Sequence, residues 1–202
     1  MSIADRLDAI RREAPPHVAI VAVTKGRSVE ECREALAAGL SDLGENRTQE
    51  ALPKLDALPA ARWHLVGHLQ RNKARHAGRF SLVQSVDSVE LAEAIATHSP
   101  GQGVLLQVNT AREPQKHGCA PEEAVELAAR ISGLLLLRGF MCIGPLAGDP
   151  APAFGELRAL RDEAQARLGV PLPVLSMGMT DDWEVALACG SSMLRLGRAL
   201  FG

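Results

Sequence analysis

The chain contains no tyrosine, so no mechanism that draws a phenolic acid–base group from this sequence is open to it. Its four cysteines, Cys32, Cys119, Cys142 and Cys189, include no CxxC pair. That scatter fits neither a disulfide framework nor a structural zinc site and suits a reduced, cytoplasmic protein. No apolar run approaches the length of a bilayer span. The first residues, MSIADRLDAIRREAPP, form an amphipathic, mixed-charge helix pattern without the apolar core of a signal peptide. A formal net charge of −2 gives no electrostatic reason to expect nucleic acid or an anionic membrane as partner. No GxSxG, HExxH or Walker loop occurs, and no GxGxxG follows the first apolar run, so the commonest local signatures for hydrolysis and nucleotide binding are missing.

What the 202 residues do contain is alternation: short apolar runs separated by helix-like segments. The runs are Val18–Lys25, Leu40–Gly44, Arg62–Gly67, Leu82–Val86, Val104–Asn109, Leu135–Ile143, Val174–Met177 and Ser192–Leu196. Several, such as VAIVAV and VLLQV, are nearly continuous apolar runs without alternation, as strands covered on both faces are. Between them, Ser28 and Glu31 have capping-box spacing, Asp87 and Glu90 pair similarly, Pro121 opens a helix that closes at Gly133, and another ends at Gly169. A faint repeat relates ALAAGLSDL (Ala35–Leu43) to ALACGSSML (Ala186–Leu194), each reading as helix end, glycine, strand. Eight such units predict an α/β fold, a single-domain (β/α)8 TIM-type barrel over residues 1–202, with residues 1–16 as an extra helix packed on it. A doubly wound open sheet is the alternative.

In a barrel the functional groups gather where the strands end. Those ends carry Lys25, Asn46, His64, Asp87, Asn109, Met141 with Cys142, the loop SMGMTDD and the segment RLGRALFG. A lysine closing an apolar run either snorkels to water or serves as an amine for covalent chemistry. Gly178, Thr180, Arg195 and Gly197 read either as a phosphate cradle or as two ordinary glycine turns. Asp181 and Asp182 read as helix caps. His64 and His68 lie four apart, but WHLVGHL is strand into loop, which argues against two metal ligands on a helix face and leaves His64 as a packed, hydrogen-bonded histidine under the rim. The basic run Arg71–Arg79 reads as a solvated face, and Lys116 as a surface lysine. One rim lysine plus a plausible phosphate cradle points to pyridoxal phosphate, whose aldehyde needs an amine and whose phosphate needs amides and a cation.

The segments AVTKGRS, LGENRTQE, RWHLVGHLQRNK, LLLRGFMCIG and LSMGMTDDWEVALACGSSMLRLGRALFG resemble the pyridoxal phosphate homeostasis family, and the likeness runs from Val18 to the C-terminus. The resemblance implies a barrel like the N-terminal domain of alanine racemase with pyridoxal phosphate at the strand ends. It further implies Lys25 as the covalent aldimine lysine, Asn46 near the cofactor, and Met141 beside its ring. Ser176, Gly178, Thr180, Arg195 and Gly197 would hold the phosphate and ring edge. The family's second lysine falls on Lys116, an auxiliary binding or transfer residue, with His64 a further auxiliary candidate. Thr24 replaces the usual serine, KGRS replaces a lysine- or proline-containing turn, and Arg47 replaces a common aromatic; the MCIGPLAGDP stretch is looser than the family pattern. None removes a residue that the aldimine needs.

The function so implied is cofactor holding within intracellular vitamin B6 homeostasis, without robust catalysis, by a cytoplasmic monomer with no metal, whose partners are pyridoxal phosphate and apo-enzymes that receive it. Lys25 would lie desolvated beside Arg195 and the rim amides. The alternative is a racemase-type enzyme of one-base or unusual two-base design. The standard two-base design uses a tyrosine, which this sequence lacks, and a second domain, for which it has no residues left. Cys142 would be a candidate second base. A barrel that binds no cofactor and acts as an interaction module is the third reading.

Overall fold

The computed structural model describes residues Met1–Gly202 and shows a closed barrel of eight strands, each hydrogen-bonded to the next and the last to the first. In chain order they are β1 (Ala19–Val23), β2 (Asp42–Glu45), β3 (Arg62–Leu65), β4 (Leu82–Val86), β5 (Gly103–Gln107), β6 (Leu136–Met141), β7 (Val174–Ser176) and β8 (Met193–Leu196). All pairings are parallel. The helices are α1 (Ile3–Glu13), α2 (Val29–Ala37), α3 (Thr48–Ala57), α4 (Val89–His98), α5 (Ala124–Ser132), α6 (Ala151–Leu168), α7 (Trp183–Ala188) and α8 (Arg198–Phe201). This is the expected (β/α)8 architecture.

Period-two alternation divides the strands into two buried layers. Val21, Leu82, Leu105, Met141 and Met193 point into the barrel and pack on one another. Their neighbours Ile20, Ala22, Val83 and Phe140 point outward into the main core, against Cys32, Ala35, Ile95, Ile131, Phe154 and Leu157 of the surrounding helices. Both layers are buried, which is why several of the strands read as nearly continuous apolar runs.

The two repeated segments occupy equivalent joints. Gly39 ends α2 before β2 and Gly190 ends α7 before β8, with φ of 98° and 93°, a left-handed conformation that favours glycine. Ser28 and Glu31 form the capping box of α2. At α4 the sequence reading is corrected: the cap is Ser88, whose hydroxyl accepts from the Leu91 amide at 3.4 Å, and Asp87 is left outside the helix. The basic run Arg71–Arg79 is a 3₁₀ helix that buries Ala74 and Ala77 beneath its charges. Helix α1 buries Leu7 and Ile10 and is tied down where Arg6 donates to the Leu200 carbonyl at 3.0 Å. No helix is long and apolar enough to cross a membrane.

Candidate active site at the barrel mouth

The inward row of β1, Ala19 and Val21, continues by alternation to Val23 and Lys25. The register Val21↔Arg195 sets β8 beside it, and a Cβ on Gly197 would lie 3.8 Å from that of Val23. Lys25 therefore leaves the sheet next to the Gly197 turn. It is exposed, in the turn after β1, and its Nζ has no hydrogen-bond or ion-pair partner in the protein. The desolvated setting beside Arg195 is thus corrected: the chain turns before the lysine is enclosed, and Arg195 lies buried beneath it.

The backbone that carries Lys25 is anchored by three groups. Thr24 Oγ1 donates to Glu45 Oε1 at 2.6 Å, and Lys54 Nζ donates to the Thr24 carbonyl at 2.8 Å and also pairs with Glu45 Oε1. Glu45 is fully buried and Lys54 is 8% exposed, so the charges meet almost out of water. Burial of either alone would be costly; together they fix the residue preceding Lys25. Glu45 Oε2 has no partner.

Below the mouth a chain of hydrogen bonds crosses the barrel. Arg195 Nη1 donates to Ser176 Oγ at 2.7 Å, and Ser176 donates to Gln84 Oε1 at 2.6 Å. Gln84 Nε2 lies 2.9 Å from His64 Nδ1, and His64 Nε2 lies 3.0 Å from Asp42 Oδ1. With the Gln84 amide as donor, His64 is assigned as the neutral Nε2–H tautomer, and every donor points the same way, from guanidinium to carboxylate. Arg62 closes the far end with two bonds to Asp42, at 2.8 and 2.6 Å. Burial alone would raise the Asp42 carboxyl, but the hydrogen bonds from Arg62 and His64 outweigh it and hold Asp42 well below the usual carboxylate range. Burial lowers the Arg195 guanidinium, opposed by Cys142 and Asp182. Only two of Arg195's five N–H groups are engaged by protein, the second reaching the Cys142 carbonyl at 2.7 Å.

The β7 and β8 loops meet above this chain. The Arg195 amide donates to the Gly178 carbonyl at 3.0 Å, and the Ala199 amide, in the first turn of α8, donates to Thr180 Oγ1 at 3.2 Å. Gly197 is the N-cap residue of α8. Asp181 pairs with Arg198, and Asp182 Oδ1 accepts from the Met179 amide, so the two carboxylates bind protein groups; Asp182 holds the N-cap position of α7, but its side chain makes no cap bond.

Opposite, Asn46, Arg47, His68, Lys73, Lys116 and His117 line a cavity of about 690 Å³ over β2, β3 and β5. Lys116 is not the free surface lysine that its loop suggests: its side chain is 9% exposed, pairs with Glu113 at 3.1 Å and donates to the Gly144 carbonyl. The structure thus brings Lys25, Gly178, Thr180, Arg195 and Gly197 to one side of the mouth and puts Asn46 and Lys116 on the other. Ser176 and His64 lie in the hydrogen-bonded interior, and Met141 is fully buried in the inner apolar layer. Cys142 is fully buried in the main core, and burial pushes its thiol up to about 11. Sequence reading missed Asp42, Lys54 and Gln84. Lys54 carried a signal, since it shares a helix face with the buried Ala51 and Leu55.

The family described as "Alanine racemase, N-terminal domain" matches residues 1–202. A curated relative from Pseudomonas aeruginosa, named "Pyridoxal phosphate homeostasis protein", is 41% identical over 198 residues, covering 93% of this chain and 85% of its own. The solved structure of PipY from Synechococcus elongatus without PLP superposes with a TM-score of 0.93 at 38% identity, over 100% of both chains. Its counterpart with PLP bound gives 0.91 at 37%, again over 100% of both. An alanine racemase from Corynebacterium glutamicum shares the fold at a TM-score of 0.82 and 16% identity, over 99% of this chain and 60% of that one.

Proposed function

The chain belongs to the pyridoxal phosphate homeostasis family, within the alanine racemase N-terminal domain family, and from that premise we propose that it holds pyridoxal phosphate covalently through Lys25 and serves vitamin B6 homeostasis in the cytoplasm. The observation that carries this reading is Lys25 itself: a primary amine with no protein partner, delivered by the inward row of β1 to the turn beside Gly197.

The donor set fits the cofactor. An aldehyde calls for an unpaired amine, a phosphate for amides, a hydroxyl and a cation, and all of these meet on the β7–β8–β1 side. When bound, the cofactor supplies an aldehyde that condenses reversibly with an amine. In our reading Gly178, Thr180 and Gly197 hold its phosphate, and Arg195, fixed by Ser176 and the Cys142 carbonyl, sets the positive charge beneath it. Asn46 and Met141 belong to the surroundings of the bound ring, and Lys116 and His64 support them as auxiliary residues. Residues 1–202 act as one cofactor-binding domain with residues 1–16 packed on the barrel. The protein works as a monomer whose partners are the cofactor and the apo-enzymes that receive it.

We read it as a carrier rather than an enzyme. A two-base racemase needs a second proton-moving group opposite the lysine; the chain has no tyrosine, and Cys142 is a buried, protonated thiol. Titration of the purified protein with pyridoxal phosphate should saturate at one per chain with a visible absorption band. Amino acids added to the loaded protein should turn over no faster than with free cofactor. Arg195→Gln should weaken retention while leaving covalent attachment. Turnover well above the free-cofactor rate would restore the enzymatic reading.

A further inference from the structure

We propose that His68, Asp87 and His117 form a binding site for a divalent cation of the zinc class at the barrel mouth, away from Lys25 and the β7–β8 loops. The three side chains come from the ends of three successive strands: His68 beyond β3, Asp87 directly after β4, and His117 from the loop after β5. One ligand atom from each lies within 4.8 Å of the others, and His68 Nδ1 is 3.8 Å from Asp87 Oδ2.

Three observations favour a ligand over a solvated polar cluster. First, Asp87 is released from capping duty by Ser88; its side chain is 17% exposed and makes no hydrogen bond within the protein. Its carboxylate oxygens are therefore left to water or to a ligand, beside two imidazoles. Second, the two histidine rings stack at 4.1 Å between centroids and 9° from parallel, and beyond the Asp87 carboxylate 3.8 Å from His68 neither ring nitrogen has a hydrogen-bond partner in the protein.

Third, the backbone on both sides is held while the two side chains stay exposed. The Gly67 carbonyl accepts from Ser85 Oγ at 2.7 Å, and a Cβ there would fall 2.2 Å from the Asn46 carbonyl oxygen. The His117 carbonyl accepts from the buried Gln107 amide at 2.9 Å, and a Cβ on Gly118 would meet the Asn109 nitrogen at 2.7 Å. Both histidines thus leave closely packed glycine-containing turns in fixed places, the pre-positioning that a metal site requires.

Two imidazoles and one carboxylate are a donor set for zinc-class ions, and three protein ligands leave one tetrahedral position open. Bonds of about 2.0–2.1 Å separate neighbouring ligand atoms by roughly 3.4 Å in a tetrahedron. The present spacing, within 4.8 Å, exceeds that value, so binding requires the two exposed rings to leave their stack and close on Asp87. His68 and His117 line the cavity that also carries Arg47, Lys73 and Lys116, so water or a carboxylate-bearing small molecule entering there would fill the remaining position.

The site shares its cavity with Asn46 and Lys116 but requires no bound cofactor, and neither does its test. Chelator-stripped protein without pyridoxal phosphate is titrated calorimetrically with zinc chloride. One ion per chain is expected, with affinity at least tenfold weaker in His117→Ala and in Asp87→Asn. His76→Ala, on an exposed histidine of the Arg71–Arg79 segment, should bind as the parent does. His68→Ala, also at an exposed ring, serves as the companion variant should Asp87→Asn fold poorly, and the same tenfold loss is expected. No saturable binding by the parent, or parental affinity in His117→Ala and His68→Ala, would overturn the site.

Discussion

Ser176 on β7 and Gln84 on β4 meet across the barrel interior, the serine hydroxyl donating to Gln84 Oε1 at 2.6 Å. This bond joins Arg195, which looks toward the mouth, to His64 and Asp42, which look toward the opposite end. Gln84 is fully buried, and its amide satisfies both neighbours at once. Gln84→Leu leaves Ser176 Oγ and His64 Nδ1 without their partner, a loss of about 2 kcal/mol in unfolding free energy. Urea denaturation measures it; a change below about 0.5 kcal/mol would mean that the chain is no structural unit.

Lys54 and Glu45 make a second test. Removing one charge leaves the other buried and unpaired, so Lys54→Met should destabilise by about 3–5 kcal/mol. The double variant Lys54→Met, Glu45→Leu should recover much of that loss, because the desolvated charge disappears as well. A double variant as unstable as the single one would show that Thr24, not the ion pair, sets the geometry.

Asp42 gives the pH dependence. Its folded-state pKa is depressed by Arg62 and His64 against the effect of burial. Its stabilisation is therefore complete above the unfolded value of about 3.9 and fades as pH falls below it toward the folded value. Asp42→Asn should lower stability at neutral pH by about 2 kcal/mol and flatten the acid limb of the stability curve below about pH 4. An acid limb as steep as the parent's would assign the effect to other carboxylates.

Much of this was legible in the sequence. Short, mostly apolar runs alternating with helix-like segments marked all eight strands, several of them nearly continuous because a barrel strand is buried on both sides, and their ends marked the mouth. The joints at Gly39 and Gly190 followed from a nine-residue resemblance, since both need the same left-handed turn. What stayed hidden were partnerships between distant residues. Gln84 in LVQSV looks like an interruption of a strand until β7 and β8 bring Ser176 and Arg195 against it. Asp87 has cap-like spacing to Glu90, yet the neighbouring Ser88 competes for the same role and wins. The exposure of Lys25 was misjudged because nothing in VAIVAVTKG says where the strand stops; it ends at Val23, and the lysine turns outward to water.

The central claim is that Lys25 is the covalent anchor. The protein should be loaded with pyridoxal phosphate, reduced with borohydride, digested, and its peptides mass-mapped. The account predicts a pyridoxyl adduct on Lys25, and in Lys25→Ala a folded protein with no reducible cofactor. An adduct on Lys116 instead, or reducible cofactor retained by Lys25→Ala, would contradict it.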